Sequence, residues 1–148
     1  MAETLGMLCD KLTIVKLKQY HSTDESRLES LANQCKELQE EIDEYIGDAV
    51  SGRISPSKLT FASNKVFKQE GNETRTIIGN IGEVFYQLAD INCALWHEQE
   101  KVYEFDKVPV DQKDIVVKQL AILNLERNKC IDSINSIFQS LIVNKTQS

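Results

Sequence analysis

The chain has 148 residues and a formal net charge of −6, from 17 basic and 23 acidic side chains. This length suffices for one domain with a hydrophobic core that needs no disulfide or metal. The charges form no basic stripe, which argues against nucleic-acid binding, because that function requires clustered Lys and Arg to neutralise phosphates.

Apolar runs in the sequence are too short to span a bilayer, and the first residues lack the basic start and apolar run of a secretory signal. The four cysteines lie far apart, form no CxxC pair and fall within helical patterns, which favours reduced, packed thiols. We therefore expect a cytoplasmic protein without membrane insertion. These cysteines are Cys9, Cys35, Cys93 and Cys130.

A first helical hairpin is predicted over residues 4–51. Apolar side chains recur at helical spacing from Leu5 to Val15, which predicts a helix over about residues 4–21. The sequence STDE at 22–25 predicts a capping box on Ser22 for the second helix. The second helix carries its own apolar stripe and is expected to stop at Gly52.

A connection over residues 52–72 separates this hairpin from a second one over 73–143. In the connection, Ser55 and Pro56 predict a short helix. The third helix is expected over about 73–105 and the fourth over about 111–143, with a break at Pro109 and Asp111 as a cap. Four long helices with short connections predict a single all-α domain, an antiparallel four-helix bundle.

The two hairpins also share a pattern that indicates duplication. An offset of 76 residues aligns Gly6 with Gly82, and it aligns His21 with His97, each histidine behind a large aromatic and ahead of an acid. An offset of 89 aligns the second helix with the fourth. We interpret the chain as a duplicated hairpin whose second copy is longer.

Histidines and acids on a helical bundle can bind metals when they project inward from facing helices. His97 lies half a turn away from the core position Leu88, and His21 stands in the same relation to Leu12. Both histidines are therefore expected on the surface or at a subunit interface, and no interior metal site is expected.

The first helix is apolar on two sides, because Ile14 and Leu17 share the side of His21. A helix that is apolar on opposite sides is normally covered on both. The additional cover is expected from residues 53–71 or from a second subunit, and we predict a homodimer.

Arg127 is the anomaly of the fourth helix, because it falls within about 20° of the centre of the apolar stripe. A guanidinium there cannot lose its charge and needs partners for its donors. Asp90 and Asn92 are the nearest candidates in an antiparallel hairpin. Either a buried salt bridge fixes the helix register, or Asn92, Asn124, Arg127 and Asn128 form a small anion pocket.

The segments NCALWHEQEKVYEF and VKQLAILNLERNKCIDSIN resemble an uncharacterised bacterial family known only as a domain of unknown function. The signature of that family is LWH-x-x-E-K followed by LN-x-x-RN-x-x-ID, and the resemblance covers the chain except about residues 45–75. It adds Trp96, His97 and Glu100 to the candidate ligand-binding residues. It also implies an association with bacterial surface-polysaccharide synthesis, but no established activity.

Two classes of function remain open. The first is a non-catalytic helical scaffold or accessory protein, which acts through its surface, its dimer and a protein partner and needs no cofactor. The second is a nucleotide pyrophosphatase-like enzyme, in which helix-borne carboxylates hold Mg²⁺. Its ligands would be Glu41, Glu44, Glu83 and Asp90. Because the paired-acid spacing after Glu83 is missing and no nucleophile or glycine-rich phosphate loop is present, we favour the scaffold.

Overall fold

The computed structural model describes residues 3–60 and 77–147, with side chains described as far as Asn144. These ranges contain four α-helices and two short 3-10 turns, and no strand. The helices are α1 (Leu5–His21), α2 (Glu25–Val50), α3 (Ile81–Tyr103) and α4 (Val110–Gln147), and the turns are Pro56–Lys58 and Phe105–Lys107. The predicted all-α bundle is confirmed. Among the helices of the described ranges, none combines the length and apolar character needed to cross a bilayer.

Short polar side chains begin the first two helices. The Thr4 hydroxyl accepts a hydrogen bond from the Met7 N–H at 3.4 Å, and the Asp24 carboxylate accepts one from the Ser26 N–H at 3.1 Å. The predicted capping box on Ser22 is therefore wrong. Ser22 ends α1 instead, and Asp24 stands directly before the first residue of α2, where a carboxylate can reach the free N–H groups.

The third helix begins at Ile81, later than predicted, because residues 77–80 are not helical. The Asn80 N–H donates to Glu83 Oε1 at 3.2 Å in a capping box, and Gly79 before it has a φ of +116°. The capping pattern of Asn80 and Glu83 is present in the sequence, but the predicted helix included both residues in its interior. The predicted start near residue 73 lies outside the described residues.

Other boundaries follow the local chemistry. Gly52, with a φ of +84°, follows the end of α2 as predicted, and a short 3-10 turn begins at Pro56. The fourth helix begins at Val110, so Asp111 lies in its first turn rather than at its cap. An acid in the first turn still favours the helix dipole.

The first helix occupies the centre of the molecule, because it contacts all three other helices. The second helix packs chiefly on α1, whereas α3 and α4 pack closely on each other. The main core therefore lies between α1 and the α3–α4 hairpin. Its most deeply buried members include Leu5, Leu8, Leu59, Val84, Leu88, Ile91, Leu123, Cys130 and Ile134.

Gly6 sets the distance between α1 and α4. A Cβ atom at this position would lie 2.5 Å from the Ile131 carbonyl oxygen and 2.9 Å from Asn135 Oδ1. The Gly6 N–H donates to the same Asn135 oxygen at 2.8 Å in a buried hydrogen bond. The two helix backbones can approach this closely only because residue 6 has no side chain.

We expect Gly6→Ala to destabilise the fold by about 1–3 kcal/mol, because α1 must move away from α4 and overpacking of this kind has that cost. Urea unfolding would measure the loss. Gly82→Ala is the matched control at the position 76 residues later, where a Cβ would meet nothing within 4 Å. Equal unfolding midpoints for the two variants would contradict the close approach of α1 and α4.

Candidate functional site

A buried carboxylate joins three helices at the centre of the molecule. Asp10 of α1 is only 3% exposed. Its Oδ1 accepts hydrogen bonds from Arg127 Nε and from Asn92 Nδ2, each at 2.9 Å, and its Oδ2 accepts one from Arg127 Nη2 at 2.5 Å. The side chains of α3 and α4 thus meet on a single residue of α1.

Thr13 completes this polar cluster. Its hydroxyl donates to the Asp10 carbonyl oxygen at 2.7 Å and accepts from Asn92 Nδ2 at 2.7 Å. The Asn92 amide therefore uses both of its N–H groups, one for each partner on α1. A polar network whose members are all hydrogen-bonded can be buried without the cost of an unsatisfied group.

The charge balance of the cluster favours its ionised form. Hydrogen bonding to Asp10 raises the pKa of Arg127, while partial burial acts in the opposite direction. The arginine side chain is 32% exposed, whereas that of Asp10 is 5% exposed. The buried Asp10 carboxylate therefore needs Arg127 to balance its charge more than the partly exposed Arg127 needs Asp10.

Arg127 falls on the apolar stripe of α4 and was expected to need an acidic partner. This partner is Asp10 rather than the predicted Asp90, which is exposed on α3. Asn92 does join the cluster, but it binds the same aspartate and not the arginine. Asn124 is exposed and Asn128 is half-buried, and neither takes part in the hydrogen bonds around Asp10. The cluster has the geometry of a salt bridge that fixes helix register.

A second cluster of predicted residues lies at the end of α1. The His21 ring stacks on Trp96 with centroids 4.8 Å apart and an interplanar angle of 8°. His97 meets His21 edge-on at 6.3 Å, and His97 Nδ1 lies 3.9 Å from a Glu100 carboxylate oxygen. Both histidines are exposed, as predicted. This aromatic cluster fastens the end of α1 to α3.

The four acids proposed as Mg²⁺ ligands do not come together as a set. Within the described ranges, no group of three or more His, Cys, Asp or Glu side chains is arranged to hold a metal ion. Glu41 and Glu44 line a shallow recess between α1 and α2, while Glu83 caps the start of α3. Nothing in the geometry of these residues supports phosphate chemistry.

An open groove lies between α1 and α3, with a volume of about 870 Å³. Its walls are mainly apolar, and none of the described residues that line it is a carboxylate. The lining residues are Leu12, Thr13, Lys16, Leu17, Gln19, Tyr20, His21, Phe85, Ala89, Cys93 and His97. Of the predicted site residues, only His97 faces this groove. Its volume lies within the range of small-molecule binding sites.

Hydrophobic periodicity missed this groove because two of the three apolar residues on its α3 wall are small. Ala89 and Cys93 stand one helical turn apart on α3, and a stripe of small residues carries little hydrophobic signal. On α1, Leu17 was correctly identified as apolar outside the main stripe. It faces the groove, whereas Ile14 faces a recess against α2.

Within one chain, the second apolar side of α1 is only partly covered. Ile14 is half-buried in a recess against α2, and Leu17 is half-buried on the open groove. The part of the 53–71 segment beyond Thr60 lies outside the described residues. The homodimer stays a prediction.

Comparison with protein-family models, with curated proteins and with solved structures returns no match for this chain. Functional inference therefore rests on the groove and on the two side-chain clusters beside it.

The buried cluster predicts unequal effects for its two charged members. Arg127→Met should lower the free energy of unfolding by about 3 kcal/mol or more, because it leaves the Asp10 charge buried without its cation. Asp10→Asn should cost less, because the arginine is partly exposed and can be solvated by water. The double variant should lose less than the sum, by about 1–3 kcal/mol. Equal single losses that add in the double variant would contradict the pairing.

Burial, with a smaller contribution from the adjacent Asp10 charge, raises the pKa of the Cys9 thiol from 9.0 to about 11. Between these values the folded state keeps a proton that the unfolded chain has lost, so stability should fall as pH rises from 9 towards 11. Cys9→Ala should flatten this part of the stability curve measured by urea unfolding. Cys93→Ala, at an exposed thiol, is the control and should leave the slope unchanged.

Proposed function

We propose that this protein is a non-catalytic helical accessory protein that binds a ligand or partner in the groove between α1 and α3. The observation that carries the proposal is the groove itself, a recess of about 870 Å³ whose surface is mainly apolar. Sites with this volume and lining bind apolar molecules and hold them by excluding water.

The use made of the buried polar residues supports a binding rather than a catalytic role. Asp10, Thr13 and Asn92 hydrogen-bond with one another, and Asp10 also with Arg127, so these bonds join three helices. Cys93 lies in the groove wall one turn before His97, but no hydrogen bond pairs it with a base among the described residues. An activated nucleophile requires such a pairing.

The remaining parts of the proposal come from the sequence. The LWH-x-x-E-K and LN-x-x-RN-x-x-ID segments place the chain beside a bacterial family of unknown function. On that resemblance, we propose a cytoplasmic accessory role in surface-polysaccharide synthesis. The duplicated hairpin and a homodimer belong to the same proposal.

Sedimentation equilibrium would test the dimer, and a single species of 16.8 kDa at all concentrations would overturn it.

Binding of the neutral dye Nile red tests the groove directly. We expect one dye to bind per folded chain, with the fluorescence increase of an apolar environment. Ala89→Trp should weaken binding strongly, because an indole on this wall takes up part of the apolar space that the dye would occupy. Ala89→Leu is a milder variant that should weaken binding if the tryptophan variant does not fold.

Ala121→Trp provides the matched control, because Ala121 is exposed on α4 and does not line the groove. It should bind the dye like the wild type. Dye binding that is unchanged by Ala89→Trp in a folded protein would contradict a groove-based function. Release of pyrophosphate from a nucleoside triphosphate with Mg²⁺, lost in Glu41→Gln, would instead support the enzymatic alternative.

A further inference from the structure

The groove has chemically different ends, and this asymmetry carries an inference about its ligand. The lining of both helices runs in the same direction, from Leu12 to His21 on α1 and from Phe85 to His97 on α3. Contacts at His21 with Trp96 and His97 confirm that the later residues of both helices lie at the same end. The groove extends over about 18 Å of α3, at 1.5 Å per residue.

At the first end the walls are apolar. Leu12, Phe85 and Ala89 present hydrocarbon there. Thr13 contributes no free hydroxyl, because its oxygen is already bonded to Asp10 and Asn92. A ligand in this part of the groove gains only from burying apolar surface, at about 25 cal/mol per Å².

Polar groups follow along the α1 wall from Lys16, one turn after Leu12, to His21 at the other end. Lys16 is exposed and forms no ion pair among the described residues, unlike Lys11 and Lys101, which pair with acids. His97, at the other end of the α3 wall, is also exposed in the lining. The Gln19 amide contacts α2, because its Oε1 accepts a hydrogen bond from the Cys35 thiol at 3.5 Å. Among the described residues that line the groove, Lys16 is the one lysine or arginine and none is a carboxylate, in a chain whose net charge is −6.

We propose that the groove binds a long-chain carboxylate, with its chain along Leu12, Phe85 and Ala89 and its carboxylate on Lys16. This rests on the proposed binding function and names its ligand class. A single cation matches a single negative charge, whereas a phosphate monoester carries nearly two and would need more donors. The charge of Lys16 is essential, because the carboxyl-terminal end of α1 is itself partially negative and repels anions.

Cys93 supplies a reporter inside the groove. It is an exposed thiol in the wall, while the other three thiols are buried. The experiment measures how fast the neutral reagent N-ethylmaleimide alkylates Cys93 in the full chain, with and without myristate. The myristate concentration stays below that at which micelles form. Myristate should slow alkylation at least several-fold. Myristyl alcohol and myristyltrimethylammonium, which share its chain, should bind about tenfold more weakly, the change expected for a lost charge-assisted hydrogen bond.

Two lysine variants test the contribution of the ligand headgroup to binding separately from that of its hydrocarbon chain. Lys16→Gln should weaken myristate protection of Cys93 about tenfold. Lys18→Gln is the matched control, with the same charge change on the same helix, because Lys18 faces the recess against α2 instead. It should leave the protection unchanged. Circular dichroism confirms that each variant is folded.

Several results would overturn the inference. Equal protection by the three headgroups, or no effect of Lys16→Gln, would mean that the groove does not select an anion. Tighter binding of myristyl phosphate would show that the preferred ligand is a dianion. Protection of Cys93 that rises with protein concentration, without added ligand, would assign the groove to a second copy of this chain. If Nile red binds but myristate does not, the ligand class fails while the proposed binding function stands.

Discussion

The Asp10 carboxylate is the interaction on which the arrangement of helices depends. A charge that is 3% exposed is stable only where its partners are fixed in place, and here those partners come from α3 and α4. The direction and rotation of α1 are thereby set relative to the other hairpin. Gly6, one helical turn earlier on the same face, allows the backbones of α1 and α4 to approach closely enough for these bonds to form.

This constraint also produces the groove. Because Asp10 and Thr13 hold α1 against α3 at Asn92, the later part of α1 leaves an open channel along α3 before His21 meets Trp96. The polar cluster bounds one part of the channel and the aromatic cluster bounds its end. Neither cluster is itself the binding site in this account, although both include residues that the sequence marked as candidates. They hold the walls in place.

The sequence predicted the helices well because their apolar spacing is strong, and it identified Arg127 as a core charge that needs a partner. It failed to find that partner for a physical reason. The face of α1 that carries Gly6, Asp10 and Thr13 is small and polar, so hydrophobic periodicity assigns it to solvent. Pairing was therefore sought within the second hairpin, at Asp90. Only the three-dimensional packing shows that α1 is covered on this side as well.

Exchange of the Arg127 Nε proton with solvent, followed by ¹⁵N NMR, tests this account most directly. We expect slow exchange at Arg127, because its Nε–H is bonded to a buried carboxylate, and fast exchange at Arg53, whose side chain is 78% exposed in its pair with Asp48. In Asp10→Asn the Arg127 signal should exchange faster. An Arg127 proton that exchanges as fast as that of Arg53 in the wild-type protein would contradict the central role of this ion pair.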